Sequence, residues 1–157
     1  MKQLRTWILI ADGARARILE NHGPGHSLVE VEGMEFIGDH SATHDLVSDK
    51  QGRSFSSHGH GRSAIESHSD PHRELKVHFA QHLADVLARE LEHGRYSRLI
   101  LVAAPATLGD LRAAISAHVR ESVIGEIAHD LTRTPNHEIP GHLKELLFAA
   151  SSGTGTL

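Results

Sequence analysis

The chain has 157 residues, 39% of them hydrophobic and 23% charged, proportions that suit one compact domain able to bury a core without covalent staples. It contains no cysteine, which excludes disulfide frameworks, thiol catalysis and cysteine-rich zinc sites and fits a reducing compartment. A formal charge of −4 excludes wrapping of nucleic acid by the whole surface, so any basic patch is local.

Residues Leu4 to Phe36 read as strands. TWILIA (Thr6 to Ala11) runs into Asp12-Gly13, a pair that predicts a type I′ hairpin because both central positions of that turn need positive φ. The return strand, Ala14 to Glu20, places Ala14, Ala16 and Ile18 on one face and Arg15 and Arg17 on the other. HGPGH (His22 to His26) makes the next turn. A third strand, Leu28 to Phe36, sets Val29, Val31 and Phe36 opposite Glu30 and Glu32.

From Ile37 to Ser69 neither period is sustained, and a loop this long inside one domain is functional or disordered. Asp70-Pro71 ends it as an N-cap followed by proline at the first helical position. The pattern is helical from Pro71 to His93, with Leu75, Phe79, Leu83, Val86 and Leu87 as the apolar stripe and Gly94 as the stop. RLILVAAP (Arg98 to Pro105) is a continuous apolar run of strand length, expected to be covered on both faces. Thr107 and Asp110 suggest a capping box opening a second helix whose buried face is Leu108, Leu111, Ile115 and Val119. Val123, Ile127 and Leu131, alternating with Ile124, Glu126 and Asp130, read as a fifth strand. A last helix between Pro135 and Ala150 buries Ile139, Leu143, Leu146 and Leu147, with Pro140 in its first turn.

The predicted order, βββ–loop–αβαβα, gives an α/β fold: a mixed sheet with helices packed on it, in a single domain over 1–150 with a mobile loop at 37–69 and a flexible tail at 151–157. The N-terminal apolar run, Trp7 to Ala11, is shorter than the roughly 7–15 residues of a signal peptide. No stretch approaches the ~20 apolar residues of a membrane span. A cytoplasmic protein with no membrane partner is expected.

Four constellations bear on chemistry. On the long helix, His78, His82, Asp85 and Arg89 share one narrow stripe, and His-x3-His with an Asp one turn on has metal-ligand spacing. The same stripe also reads as a solvated flank with an i,i+4 Asp85–Arg89 pair, which is the more common arrangement. His58 and His60, with His68 and His72 beyond, form a flexible tract that captures zinc or nickel adventitiously, so no cofactor is expected. Serines are plentiful near them, but no G-x-S-x-G elbow presents one as a nucleophile. Finally, DKQGRSFSSHGHGRSA (Asp49 to Ala64) puts Lys50, Arg53 and Arg62 among glycines and serines whose N–H groups and hydroxyls suit phosphate. Phe55 is its one aromatic, able to stack on a base or to pin the loop to the domain.

Several segments lie in one order: ADG followed by ARA, then DKQGRSFSS, GRSAIE, the Asp70-Pro71-His72 helix reaching Phe79-Ala80, RLILVAAPATLGDLR and HDLTRTP. In that order they resemble the bacterial "protein required for attachment to host cells" family, over about Thr6 to Leu147. The family looks related to the central domain of archaeo-eukaryotic peptide-chain release factors and to Pelota-type ribosome-rescue proteins. The resemblance implies the mixed α/β fold shared with small- and large-subunit ribosomal proteins. In true release factors the corresponding loop carries a Gly-Gly-Gln tripeptide that reaches peptidyl-tRNA. Here the region reads Gln51-Gly52-Arg53-Ser54-Phe55, and the tripeptide occurs nowhere in the chain. Peptidyl-tRNA hydrolysis therefore does not carry over, whereas an exposed basic loop that meets RNA does.

The leading expectation is a non-catalytic protein associated with RNA, tRNA or the ribosome. Lys50, Gln51, Gly52, Arg53, Ser54, Phe55 and Arg62 form its contact loop, and Arg15 and Arg17 extend the surface. A metal-dependent hydrolase using Asp12 with His78, His82 and Asp85 is a second reading. A module whose loop orders on a protein partner, affecting attachment indirectly, is a third.

Overall fold

In a computed structural model of the protein, residues 4–22, 28–38 and 71–144 are described. Strands β1 (Thr6–Ala11), β2 (Arg15–Asn21) and β3 (Leu28–Ile37) precede helix α1 (Pro71–Glu92). Strand β4 (Arg98–Ala103), helices α2 (Pro105–Ala114) and α3 (Ala117–Ser122) and strand β5 (Val123–Ile127) follow. A 3-10 turn at Asn136–Glu138 leads into a helix that is described over 139–144. The five strands form one sheet in the order β3-β2-β1-β4-β5. β1 pairs antiparallel with β2 and parallel with β4, so the sheet is mixed, as the element order predicts.

The alternation of side chains along β1 explains why all six residues are buried. Trp7, Leu9 and Ala11 face α1, α2 and α3, joined there by Leu99, Leu101, Leu83, Leu87 and Leu111. Ile8 and Ile10 face the other way, with Ile100 and Val102, and are covered by Leu131, Ile139 and Leu143 of the C-terminal segment. A strand with a layer on each side has no polar positions, and β1 and β4 read that way in the sequence. Trp7 is the most connected of these side chains. It is stacked on Tyr96 at 4.8 Å, its indole N–H donates to Glu20 Oε1 at 2.8 Å, and the Arg95 guanidinium lies 5.7 Å from its ring. Tyr96 in turn donates to the Leu87 carbonyl at 2.7 Å, and burial raises its pKa.

Four local expectations are corrected. The Asp12-Gly13 turn is not type I′, since Gly13 lacks a positive φ; among described residues only Gly33 and Gly94 have one. The glycine instead makes room for α1, because a Cβ at position 13 would sit 2.8 Å from Lys76 Cγ and push that exposed side chain aside. The capping box does not form. α2 begins at Pro105, which places Thr107 inside the first turn as a buried residue with no role at the cap. The predicted buried face is correct, but the helix is two helices: Ile115 turns extended, and the Ser116 hydroxyl caps α3 by accepting from the Val119 N–H at 3.2 Å. Finally, Val29 is 49% exposed on edge strand β3, while Val31, Met34 and Phe36 pack inward. The β2–β3 register passes from Arg17↔Glu35 to Leu19↔Glu30, a bulge that includes Gly33 at φ +80°. Such a bulge lets β3 re-aim its side chains midway.

Ile37 belongs to β3 and not to the loop, and β5 ends at Ile127, so Asp130 and Leu131 lie beyond the strand, where Leu131 packs over the sheet. The Asp70 cap, most of HGPGH, Leu146, Leu147, the tail and the segment 39–70 lie outside the described residues. No helix among the described residues is long and apolar enough to cross a membrane.

Candidate functional site

The turn joining β1 to β2, at the carboxyl end of β1, gathers the polar groups. Asp12 builds it: Oδ1 accepts from the N–H groups of Ala14 and Arg15, each at 2.8 Å, and its own N–H donates to the Arg15 carbonyl at 2.9 Å. A short carboxylate satisfying the next two free N–H groups is what Asp does at turns. With Oδ1 committed to the backbone, and Oδ2 facing Arg15 at 3.7 Å, Asp12 acts as a structural residue.

The C-terminal segment closes over this turn. The Thr132 hydroxyl lies between Asp130 Oδ1 at 2.5 Å and Asp12 Oδ2 at 3.3 Å, and its single proton goes to the nearer oxygen. Asp130 Oδ1 also accepts from the Thr132 N–H at 2.9 Å. The Thr132 hydroxyl is the main cause holding the Asp130 pKa below the usual carboxylate range, aided by the Thr132 N–H, Arg133 and Arg15 against the cost of burial. A depressed folded pKa contributes stability above the unfolded value of about 3.9, and that contribution is lost as pH falls through the folded value. Thr132→Val is therefore expected to raise the Asp130 titration midpoint in a carboxyl-detected NMR pH series. An unmoved midpoint would remove the hydroxyl as the cause.

Arg15 and Arg17 were expected to extend one surface, and the structure separates their roles. The Arg15 side chain is 51% exposed and only 3.7 Å from Asp12 Oδ2, so most of its donors face solvent. Arg17 is half-buried. Its Nε donates to Asn136 Oδ1 at 2.8 Å, Nη1 to the Thr132 carbonyl at 2.8 Å and Nη2 to the Thr134 carbonyl at 2.6 Å. Asn136 passes the link on to Glu30 of β3. Burial lowers the Arg17 pKa, opposed by Glu30 and Glu35, and the guanidinium stays charged because its ordinary value is so high. Arg17 ties the C-terminal segment to the sheet. The alternation pattern places it opposite the helices correctly but gives no sign that this face is covered.

The same turn moors the segment 39–70 at both ends. At one end the Gly38 N–H donates to the Ala14 carbonyl. At the other, α1 opens at Pro71 and lays the Lys76 stem against Gly13. Arg73 in its first turn is held by a bidentate pair with Asp110 of α2, which raises the Arg73 pKa. Lys50, Gln51, Gly52, Arg53, Ser54, Phe55 and Arg62 lie within 39–70, outside the described residues. Lys76, Thr132, Asn136 and Glu35 join the site without having been anticipated, since each is placed by contacts distant in sequence.

The histidine stripe of α1 does not come together as a ligand set. His78, His82 and Asp85 are exposed, and the His82 ring meets Phe36 edge-on at 5.8 Å. Among the described residues no group of three or more His, Asp or Glu side chains is placed to hold a metal ion.

A family model described as "Protein required for attachment to host cells" matches residues 7–143. The chain belongs to that family. The match runs from β1 to the C-terminal helix and takes in the Asp12 turn, Arg17 and Thr132. No curated protein sequence matches the chain. Among solved structures, that of an archaeal translation termination factor, aRF1, is similar at 10% identity and a TM-score of 0.40, over 96% of this chain and 42% of that one. This chain thus spans less than half of that factor's length.

Proposed function

We propose that this host-attachment family member is a non-catalytic, cytoplasmic RNA- or ribosome-associated protein, whose contact surface is the basic segment 49–64 carried on the Asp12–Arg15 turn. The observation that carries the reading is the pairing of composition with mooring. Lys50, Arg53 and Arg62 stand among serines and glycines beside the single aromatic Phe55. The segment that holds them follows Gly38, whose N–H donates to the Ala14 carbonyl, and precedes α1, whose Lys76 stem lies against Gly13, beside the exposed Arg15. Cations with hydroxyl and N–H donors position a phosphate backbone, and an aromatic among them stacks on an unpaired base. The effect on attachment is indirect, through the expression of other components.

The test is salt-dependent binding to tRNA and to ribosomes by the full chain. Replacing Arg53 and Arg62 together with Ala weakens binding and flattens the slope of log K against log salt by about 0.7 per lost single-strand phosphate contact. A wild-type chain that ignores both partners at low salt ends this reading.

A further inference from the structure

Beside the Asp12–Arg15 turn, on the sheet face away from α1, a cavity of about 390 Å³ is lined by Ile10, Arg15, Arg17, Glu35, Ile37 and Thr132. Its arrangement follows from register. Arg15 pairs with Ile37 and Arg17 with Glu35, so these four side chains stand on one face of β2 and β3, where Arg15 and Glu35 are diagonal neighbours. Each plays a different part. Ile10, fully buried, and Ile37, 79% exposed, make the apolar surface. The Arg17 guanidinium has its three donor directions taken by Asn136, Thr132 and Thr134, which fixes its plane and leaves the flat face. Arg15 keeps free donors, and the Glu35 carboxylate has no hydrogen-bond partner among the described residues.

The geometry points to a site for one guanine base. A planar heterocycle suits apolar walls and an immobilised guanidinium face, because arginine stacks on aromatic rings. Among bases, guanine carries the edge pattern that matches. Its N1–H and N2–H donors meet a carboxylate, and its O6 and N7 acceptors take an arginine in bidentate fashion. Adenine would set an acceptor, N1, against the Glu35 carboxylate, and uracil offers one donor between two carbonyls. The cavity volume exceeds that of a single base, so the sugar and its phosphate continue toward the Asp12–Arg15 turn. The inference rests on the proposed RNA association for its source of guanine. A free guanine nucleotide has the same chemistry, and the test separates the two.

The experiment is fluorescence anisotropy of the full chain with the pentamers UUGUU, UUAUU and UUUUU, alongside saturation-transfer NMR with GMP and AMP. The expected result is about tenfold tighter binding of UUGUU. Glu35→Gln, which replaces an acceptor oxygen by a donor at an exposed position, abolishes that preference, so that UUGUU then binds no more tightly than UUUUU. Equal affinity for all three pentamers overturns the guanine site while leaving RNA association standing. GMP transfer that exceeds AMP transfer, with no pentamer bound, keeps the site with a free nucleotide as its ligand and removes RNA association. Absence of both signals overturns both.

Discussion

Trp7→Ala is expected to lower the unfolding free energy by about 3–5 kcal/mol, the usual cost of emptying a large aromatic site in a packed core. Trp7 has no exposed surface, and its removal also strips Tyr96 of its stacking partner and Glu20 of the indole donor. The last two losses are separable from the cavity. Trp7→Phe refills most of the volume but leaves Glu20 Oε1 without its indole donor, and is expected to cost about 1–2 kcal/mol. Urea unfolding followed by far-UV circular dichroism measures both, since the chain has one tryptophan and its fluorescence is lost in either variant. If Trp7→Ala cost less than Trp7→Phe, the buried ring would not be the centre of the helical face of the sheet.

Arg17→Ala should cost about 2–3 kcal/mol and loosen the C-terminal segment specifically. A charged hydrogen bond is worth about 1.5–3 kcal/mol, and two half-buried backbone carbonyls would be left without their donor. Arg17→Lys recovers little of this, because one ammonium does not reproduce three donors fixed in a plane. The discriminating readout is limited proteolysis. Cleavage near Thr132 to Asn136 should rise in both variants, while peptides from α1 stay protected. An unchanged urea midpoint together with unchanged cleavage would deny Arg17 its tethering role.

Much of the fold is legible in the chain because burial and period coincide. TWILIA and RLILVA are apolar after their first residues, Thr6 and Arg98, since a layer covers each face, and the stripe of α1 has the helical repeat because only one side is covered. What could not be read locally depended on neighbours. Gly13 pairs with Asp12 as a hairpin signal would, yet the glycine sits against Lys76, far along the chain on α1. The break at Ile115 hides inside a run whose apolar spacing continues unbroken across both helices, so that the buried positions survive although the helix does not. Arg17 shows the same limit at the site. A charged residue opposite an apolar face reads as solvated, and only the path of the C-terminal segment over that face makes it a tether. The cavity needs β2, β3 and Thr132 together, and no window of sequence contains them.

The two-sided sheet also sets the order in which the protein is completed on the ribosome. Ile8 and Ile10 are made more than a hundred residues before Leu131, Ile139 and Leu143, which shield them. Arg17 likewise waits for a carbonyl 117 residues downstream. At about 5–20 residues per second that delay is on the order of ten seconds. Through that interval the nascent hairpin has an uncovered aliphatic face, so the second layer of the sheet closes only once residues 131–143 have been made.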